Sequence, residues 1–157
     1  IDDTYDSYVF KFYNIHPATD NVQFLFNMSS DSGSNYNVTK TTTYFLAEHN
    51  ATGGSANLSY QSAKDLAQST DFQKLMTDLG NAADENLSGY LTIYNPSSTT
   101  FAKNFMSRTN AQAYSATNIS FDNYIAGYGN TTSAVDAIQF KMSSGTFDGV
   151  IKLYGVS

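Results

Sequence analysis

The residues of this 157-residue chain that could do chemistry are two histidines, fourteen acids and twelve tyrosines, with no cysteine beside them. A serine-type triad needs a histidine oriented by an acid and aimed at an exposed nucleophile, and no G-x-S-x-G turn occurs. His16 stands just before Pro17 at the end of an apolar run, the position of a turn residue bonded to backbone, and His49 has no partner motif. Zinc takes three or more ligands, which two histidines without thiolates do not supply. Calcium needs clustered oxygens, and Asp2-Asp3-Thr-Tyr-Asp6 and Asp31-Ser-Gly-Ser-Asn35 offer them without EF-hand spacing. Asp and Asn at turns usually cap their own backbone, so no cofactor is assigned and calcium stays the minor alternative. Asp84-Glu85 is only a pair. Asp122, Asp136 and Asp148 are candidates for glycoside hydrolysis, which requires two carboxylates facing one another across a groove. Spacing alone brings no two of them together.

Tyrosine offers a different chemistry. Its ring can stack on a pyranose while its hydroxyl bonds to the sugar, and Tyr36, Tyr60, Tyr114 and Tyr128 fall in or beside predicted loops. These four are the candidate glycan contacts. The plainer reading is that tyrosines at sheet edges cover half-buried surface and leave the hydroxyl wet. Seven Asn-x-Ser/Thr sequons, at Asn27, Asn37, Asn50, Asn57, Asn86, Asn118 and Asn130, follow from the abundance of those residue types.

The elements that must carry these residues are strands. Tyr8, Phe10 and Phe12 alternate with Val9, Lys11 and Tyr13, and His16-Pro17 ends that run. Val22, Phe24, Phe26 and Met28 alternate with Gln23, Leu25 and Asn27, so the two segments predict an antiparallel hairpin. Val38–His49 is a Thr-rich strand between the polar loops Ser29–Asn37 and Asn50–Ala56, and Leu58–Gln61 is a short edge strand. Leu87–Asn95, Phe101–Ser107 and Ile119–Tyr128 are further strands, with Thr109–Thr117 a loop. The chain closes on a second predicted hairpin, Ala137–Met142 and Ile151–Tyr154, turned by Ser143–Gly149. One stretch reads as helix. Between Ser62 and Gly80, Phe72, Leu75, Met76 and Leu79 fall at i, i+3, i+4 and i+7 with Gly80 as a stop.

Composition agrees with a β chain. Charged residues are only 14% and aromatic residues 15%, a mixture that suits pleated, half-buried surfaces. The net charge of −6 and the scattered cations argue against phosphate-backbone binding. No apolar run reaches the length of a membrane span. The expectation is one domain over residues 1–157, all-β, an antiparallel β-sandwich or jelly roll with one or two short helices.

Four phrases carry a resemblance. Asn14-Ile-His-Pro-Ala-Thr-Asp-Asn21, Asn95-Pro-Ser-Ser-Thr-Thr100, Ala126-Gly-Tyr128 with Asn130-Thr-Thr-Ser133, and Ala137-Ile-Gln-Phe-Lys-Met-Ser-Ser-Gly145 through Ile151-Lys-Leu-Tyr-Gly155 resemble virion proteins of marine tailed bacteriophages. The phrases run in the same order over nearly the whole chain. The resemblance implies a non-enzymatic structural domain on tail, fibre or capsid, located in the virion and partnered by other virion proteins and by copies of itself. A host-surface glycan is the ligand expected if attachment is its task, with neither nucleic acid nor membrane insertion involved. Members of that group begin with a further strand, which implies a fragment or processed part of a longer chain. A depolymerase-like enzyme on the same sandwich and a purely architectural cement protein are the alternatives.

Overall fold

The computed structural model describes every residue except 116 and 117. Ten antiparallel strands make up its regular structure: β1 (Ser7–Pro17), β2 (Val22–Ser29), β3 (Lys40–Asn50), β4 (Ala56–Tyr60), β5 (Gln73–Leu79), β6 (Leu87–Tyr94), β7 (Lys103–Ala113), β8 (Ile119–Gly129), β9 (Ala137–Met142) and β10 (Phe147–Val156). One continuous hydrogen-bonded sheet folds into two layers. The larger runs β10-β1-β6-β7-β8-β3-β4 and the smaller β5-β2-β9. They are joined where Leu79 of β5 pairs with Ala113 of β7.

Aromatic side chains fill the space between the layers. Phe12 of β1 meets Phe24 of β2 edge to face at 5.2 Å, and Phe26 meets Phe105 of β7 at 5.0 Å. Phe140 of β9 packs on Phe10 and Phe12, both at 5.2 Å. The alternation read from β1 holds: Tyr8, Phe10 and Phe12 are buried. This is the all-β sandwich arrangement expected, and among the described residues there is no helix.

The predicted helix over Ser62–Gly80 is replaced by β5 and an extended strap. Two register shifts between β2 and β5 each place an extra residue on β5, and Asp78 sits at φ 56° in one of them. Bulges turn a period of two into the spacing of Phe72, Leu75, Met76 and Leu79 that imitates a helix. Upstream, the backbone is claimed by β3. The Lys40 and Thr42 amides donate to the Ser69 and Leu66 carbonyls, the Ser69 amide returns a bond to the Lys40 carbonyl, and the Leu66 amide donates to Thr42 Oγ1.

Neither predicted hairpin exists. β1 pairs with β10 and β6, while β2 pairs with β5 and β9, so the chain crosses between layers after Pro17. It crosses again between β9 and β10. The two crossings touch: the Ala18 amide donates to the Thr146 carbonyl at 2.9 Å, and Gly145, at φ +71°, lies so close to Thr19 that a Cβ would come 2.3 Å from Thr19 Oγ1. Both apolar runs were real, but each faces its chain neighbour across the core instead of lying beside it. The Thr109–Thr117 loop is likewise shorter than predicted. β7 continues to Ala113, and residues 116 and 117 lie outside the described part of the chain.

Candidate functional site

The outer face of the seven-stranded layer gathers the residues with the richest binding chemistry. Register places Lys152 of β10 opposite Lys11 of β1, Lys11 opposite Tyr90 of β6, and Tyr90 opposite Arg108 of β7. Arg108 faces Tyr124 of β8, Tyr124 faces Phe45 of β3, and Phe45 faces Tyr60 of β4. One row therefore crosses all seven strands, about 29 Å from six strand spacings of about 4.8 Å.

The middle of the row is rigid. Tyr124 and Phe45 stack in parallel, 4.8 Å apart and 4° from coplanar, and the Arg108 guanidinium lies 4.8 Å from the Tyr124 ring centre. Asp122 holds that guanidinium in two contacts, Nη2 to Oδ2 at 2.6 Å and Nε to Oδ1 at 3.0 Å, and accepts the Tyr124 hydroxyl at 3.0 Å. A bidentate pair of this kind fixes orientation as well as charge. Arg108 beside it holds the Asp122 carboxyl below its ordinary range, and the Arg108 pKa is raised in return, chiefly by the same bonds. Gly89 makes room for this placement, because a Cβ there would stand 2.3 Å from the Arg108 carbonyl oxygen.

Beside the row lie shallow depressions. One of about 440 Å³ has a floor of small or flexible side chains, Thr41, Thr43, Met106 and Ala126, between Tyr94 and Tyr128. A second of about 260 Å³ runs along Phe45, Tyr90, Arg108 and Tyr124. A third of about 370 Å³ adjoins Ser88, Asn110 and Asp122. Asp122 is the one carboxylate lining these three. Ring edges, hydroxyls, amides and a fixed guanidinium around an open trough suit a ligand rich in hydroxyls and flat apolar faces.

Of the four predicted tyrosines, two come to this face. Tyr60 ends the row and donates its hydroxyl to Asp65, and Tyr128 lines the depression of about 440 Å³. The other two lie elsewhere. The Tyr36 carbonyl accepts the Asn27 side-chain amide at 2.7 Å, and its hydroxyl lies under Gly33. Tyr114 borders a separate cleft of about 300 Å³ with Asp20, Asn81 and Glu85. The loop criterion missed Tyr90, Tyr94, Tyr124 and Phe45. Their signal was large aromatic residues in the outward phase of a strand, beside inward Leu91 and Ile93 in β6 and inward Tyr44 and Leu46 in β3.

The other chemical candidates are engaged locally. His16 Nε2 donates to the Ala82 carbonyl at 3.1 Å, the backbone bond expected of it, but His16 lies within β1 opposite Asp148 and not in a turn. Asp31 accepts from the Asn35 backbone and side-chain amides, both at 2.8 Å, and Asp2 accepts the Tyr8 hydroxyl at 2.5 Å, which holds the Asp2 carboxyl down to about 2. Asp136 accepts from Ser32, and Glu85 accepts the Ala82 amide at 2.9 Å. Among the described residues no group of three or more histidines and acids is placed to hold a metal ion. Asn27 is fully buried, its amide donating to the Tyr36 and Thr70 carbonyls, so this sequon sits in the core. Comparison of the chain with known families, with characterised proteins and with solved structures finds no match.

Proposed function

We propose that this chain is a non-catalytic β-sandwich domain of a tailed-bacteriophage particle, and that the outer face of its seven-stranded layer binds a glycan of the host surface. The observation that carries the binding role is the row Tyr90–Arg108–Tyr124–Phe45 beside a trough floored by small side chains. Strand spacing near 4.8 Å is close to the length of one pyranose unit, so successive sugars of an extended chain would meet successive strands. The place on a phage particle rests on the four phrases that resemble virion proteins. Asp122 locked to Arg108 supports a hydrogen-bonding role over acid–base work. Copies of the domain would associate through β10, an edge strand whose Val150, Leu153 and Val156 are each about half exposed.

A glycan array tests this. The wild type should retain bacterial surface polysaccharides, and Tyr90→Ala or Arg108→Ala should weaken them about tenfold, equivalent to about 1.4 kcal/mol. Retention undiminished in both variants would remove the face from consideration. Release of reducing ends from a retained polymer would instead favour the depolymerase reading.

A further inference from the structure

The end of the row formed by β1 and β10 carries a feature that a neutral ligand does not explain. Lys11 and Lys152 stand directly opposite one another, and like charges in that relation are destabilising. Among the described residues the ion pairs are Lys64–Asp78 and Arg108–Asp122, so no acid neutralises either lysine. Each is instead held over a ring on the neighbouring strand: Lys11 Nζ lies 5.4 Å from the Tyr154 ring centre, and Lys152 Nζ lies 5.4 Å from that of Tyr13. The two ammonium groups thus lean to opposite sides of the Lys11–Lys152 pair, one toward Tyr154 opposite Val9 and the other toward Tyr13 opposite Val150, on an otherwise acidic protein of net charge −6. They also continue the trough, because Lys11 faces Tyr90, which faces Arg108.

We infer that this face selects an acidic polysaccharide, with uronate carboxylates seated at Lys11 and at Lys152 while neighbouring sugars lie along Tyr90 and Arg108. Charge complementarity names the occupant. A carboxylate at each ammonium group sets an attraction against the repulsion of the pair. A compact, strongly hydrated ammonium matches a compact carboxylate better than a diffuse sulfate ester. The inference rests on the glycan-binding reading of the face and adds the class of glycan.

The test is titration calorimetry of the domain with an oligogalacturonate long enough to span the row, with the same oligosaccharide after carboxyl reduction, and with a sulfated oligosaccharide of equal length. The expected result is tightest binding of the uronate, weakened by added salt and weakened roughly tenfold in Lys11→Gln/Lys152→Gln. That variant changes only exposed side chains, and an unaltered circular dichroism spectrum and melting temperature would show it folded. Equal binding of the uronate and its reduced form would overturn the acidic class and leave the glycan reading standing. Preference for the sulfated chain, or full uronate affinity in the double variant, would overturn the carboxylate seats. Binding of none of the three, alongside an empty glycan array, would end both readings.

Discussion

Lys40 is where burial and charge oppose each other most directly. It is fully buried, its ammonium donating to Asn27 Oδ1 at 2.5 Å and to the Val38 carbonyl at 2.8 Å. Burial pushes its pKa down to about 8 against an ordinary 10.5. The unfolded chain therefore binds more protons between pH 8 and 10.5, and stability rises with pH across that window, by on the order of 3 kcal/mol if Lys40 acted alone. Lys64 and Lys103 are shifted the same way by the same cause. Tyr44 works in the opposite sense. Burial raises its pKa, its hydroxyl donating to Asn123 Oδ1 at 2.6 Å, so stability is lost as pH climbs past 10. The urea midpoint should increase from pH 8 to about 10 and then fall, and Lys40→Met should flatten most of the rise. A wild-type midpoint that declines steadily above pH 8 would contradict this. Asn14 makes a second single-residue case. It sits at φ 50° in the β1 bulge that shifts register against both β10 and β6, a conformation that asparagine tolerates and β-branched residues resist. Asn14→Val should cost about 1–3 kcal/mol and Asn14→Gly less than about 1 kcal/mol, both read from chemical denaturation.

Strands, not loops, position the candidate site, and the most completely buried strand is β2. Phe24 is fully buried and meets Phe12, Phe140 and Phe147, drawn from β1, β9 and β10. Its truncation to alanine should cost about 3–5 kcal/mol, measurable as a lower urea midpoint. Gly89 in β6 tests the opposite defect. A methyl there would meet the Arg108 carbonyl and Thr109 Cα, at 2.3 and 2.8 Å, both backbone atoms. Gly89→Ala should therefore push β6 from β7, destabilise by about 1–3 kcal/mol and weaken glycan binding together with stability. Native-like binding in that variant would show that Arg108 does not need this close approach.

At the scale of the molecule, the two layers share one aromatic interior and are linked at the Leu79–Ala113 corner and at both crossings near Ala18 and Thr146. Neither layer can expose its inner face alone, so calorimetry should record a single transition with a heat-capacity change of about 2 kcal/mol/K. Two resolved transitions would mean that the layers unfold separately. The outer faces are not equivalent. That of the seven-stranded layer is exposed along the middle of the row, and the strap before β5 reaches only its far end, where Gln68 donates to Thr41 Oγ1 and Asp65 accepts the Tyr60 hydroxyl. The smaller layer is partly covered by the strap before β5, where Lys141 of β9 lies 3.9 Å from the Phe72 ring centre and Lys74 reaches the Ala63 carbonyl. Openness on one side is what leaves the row from Lys152 to Phe45 available to a ligand.

The all-β class was legible in the sequence because side-chain alternation is a property of each strand by itself: Tyr8, Phe10 and Phe12 point inward whatever lies next to them. The end of β1 at His16-Pro17 was legible for the same local reason. The spacing in β5 misled because bulges are set by the partner strand, and local pattern cannot reveal the partner. The two hairpins misled because nothing between consecutive strands says whether the chain turns back within a layer or crosses to the other. Only tertiary structure fixes register over long separations. It alone put Lys152 beside Lys11, and Lys11 in line with Tyr90, Arg108, Tyr124 and Phe45. A row perpendicular to seven strands has no image along the chain, since each member comes from a different segment and is joined to the next by hydrogen bonds alone.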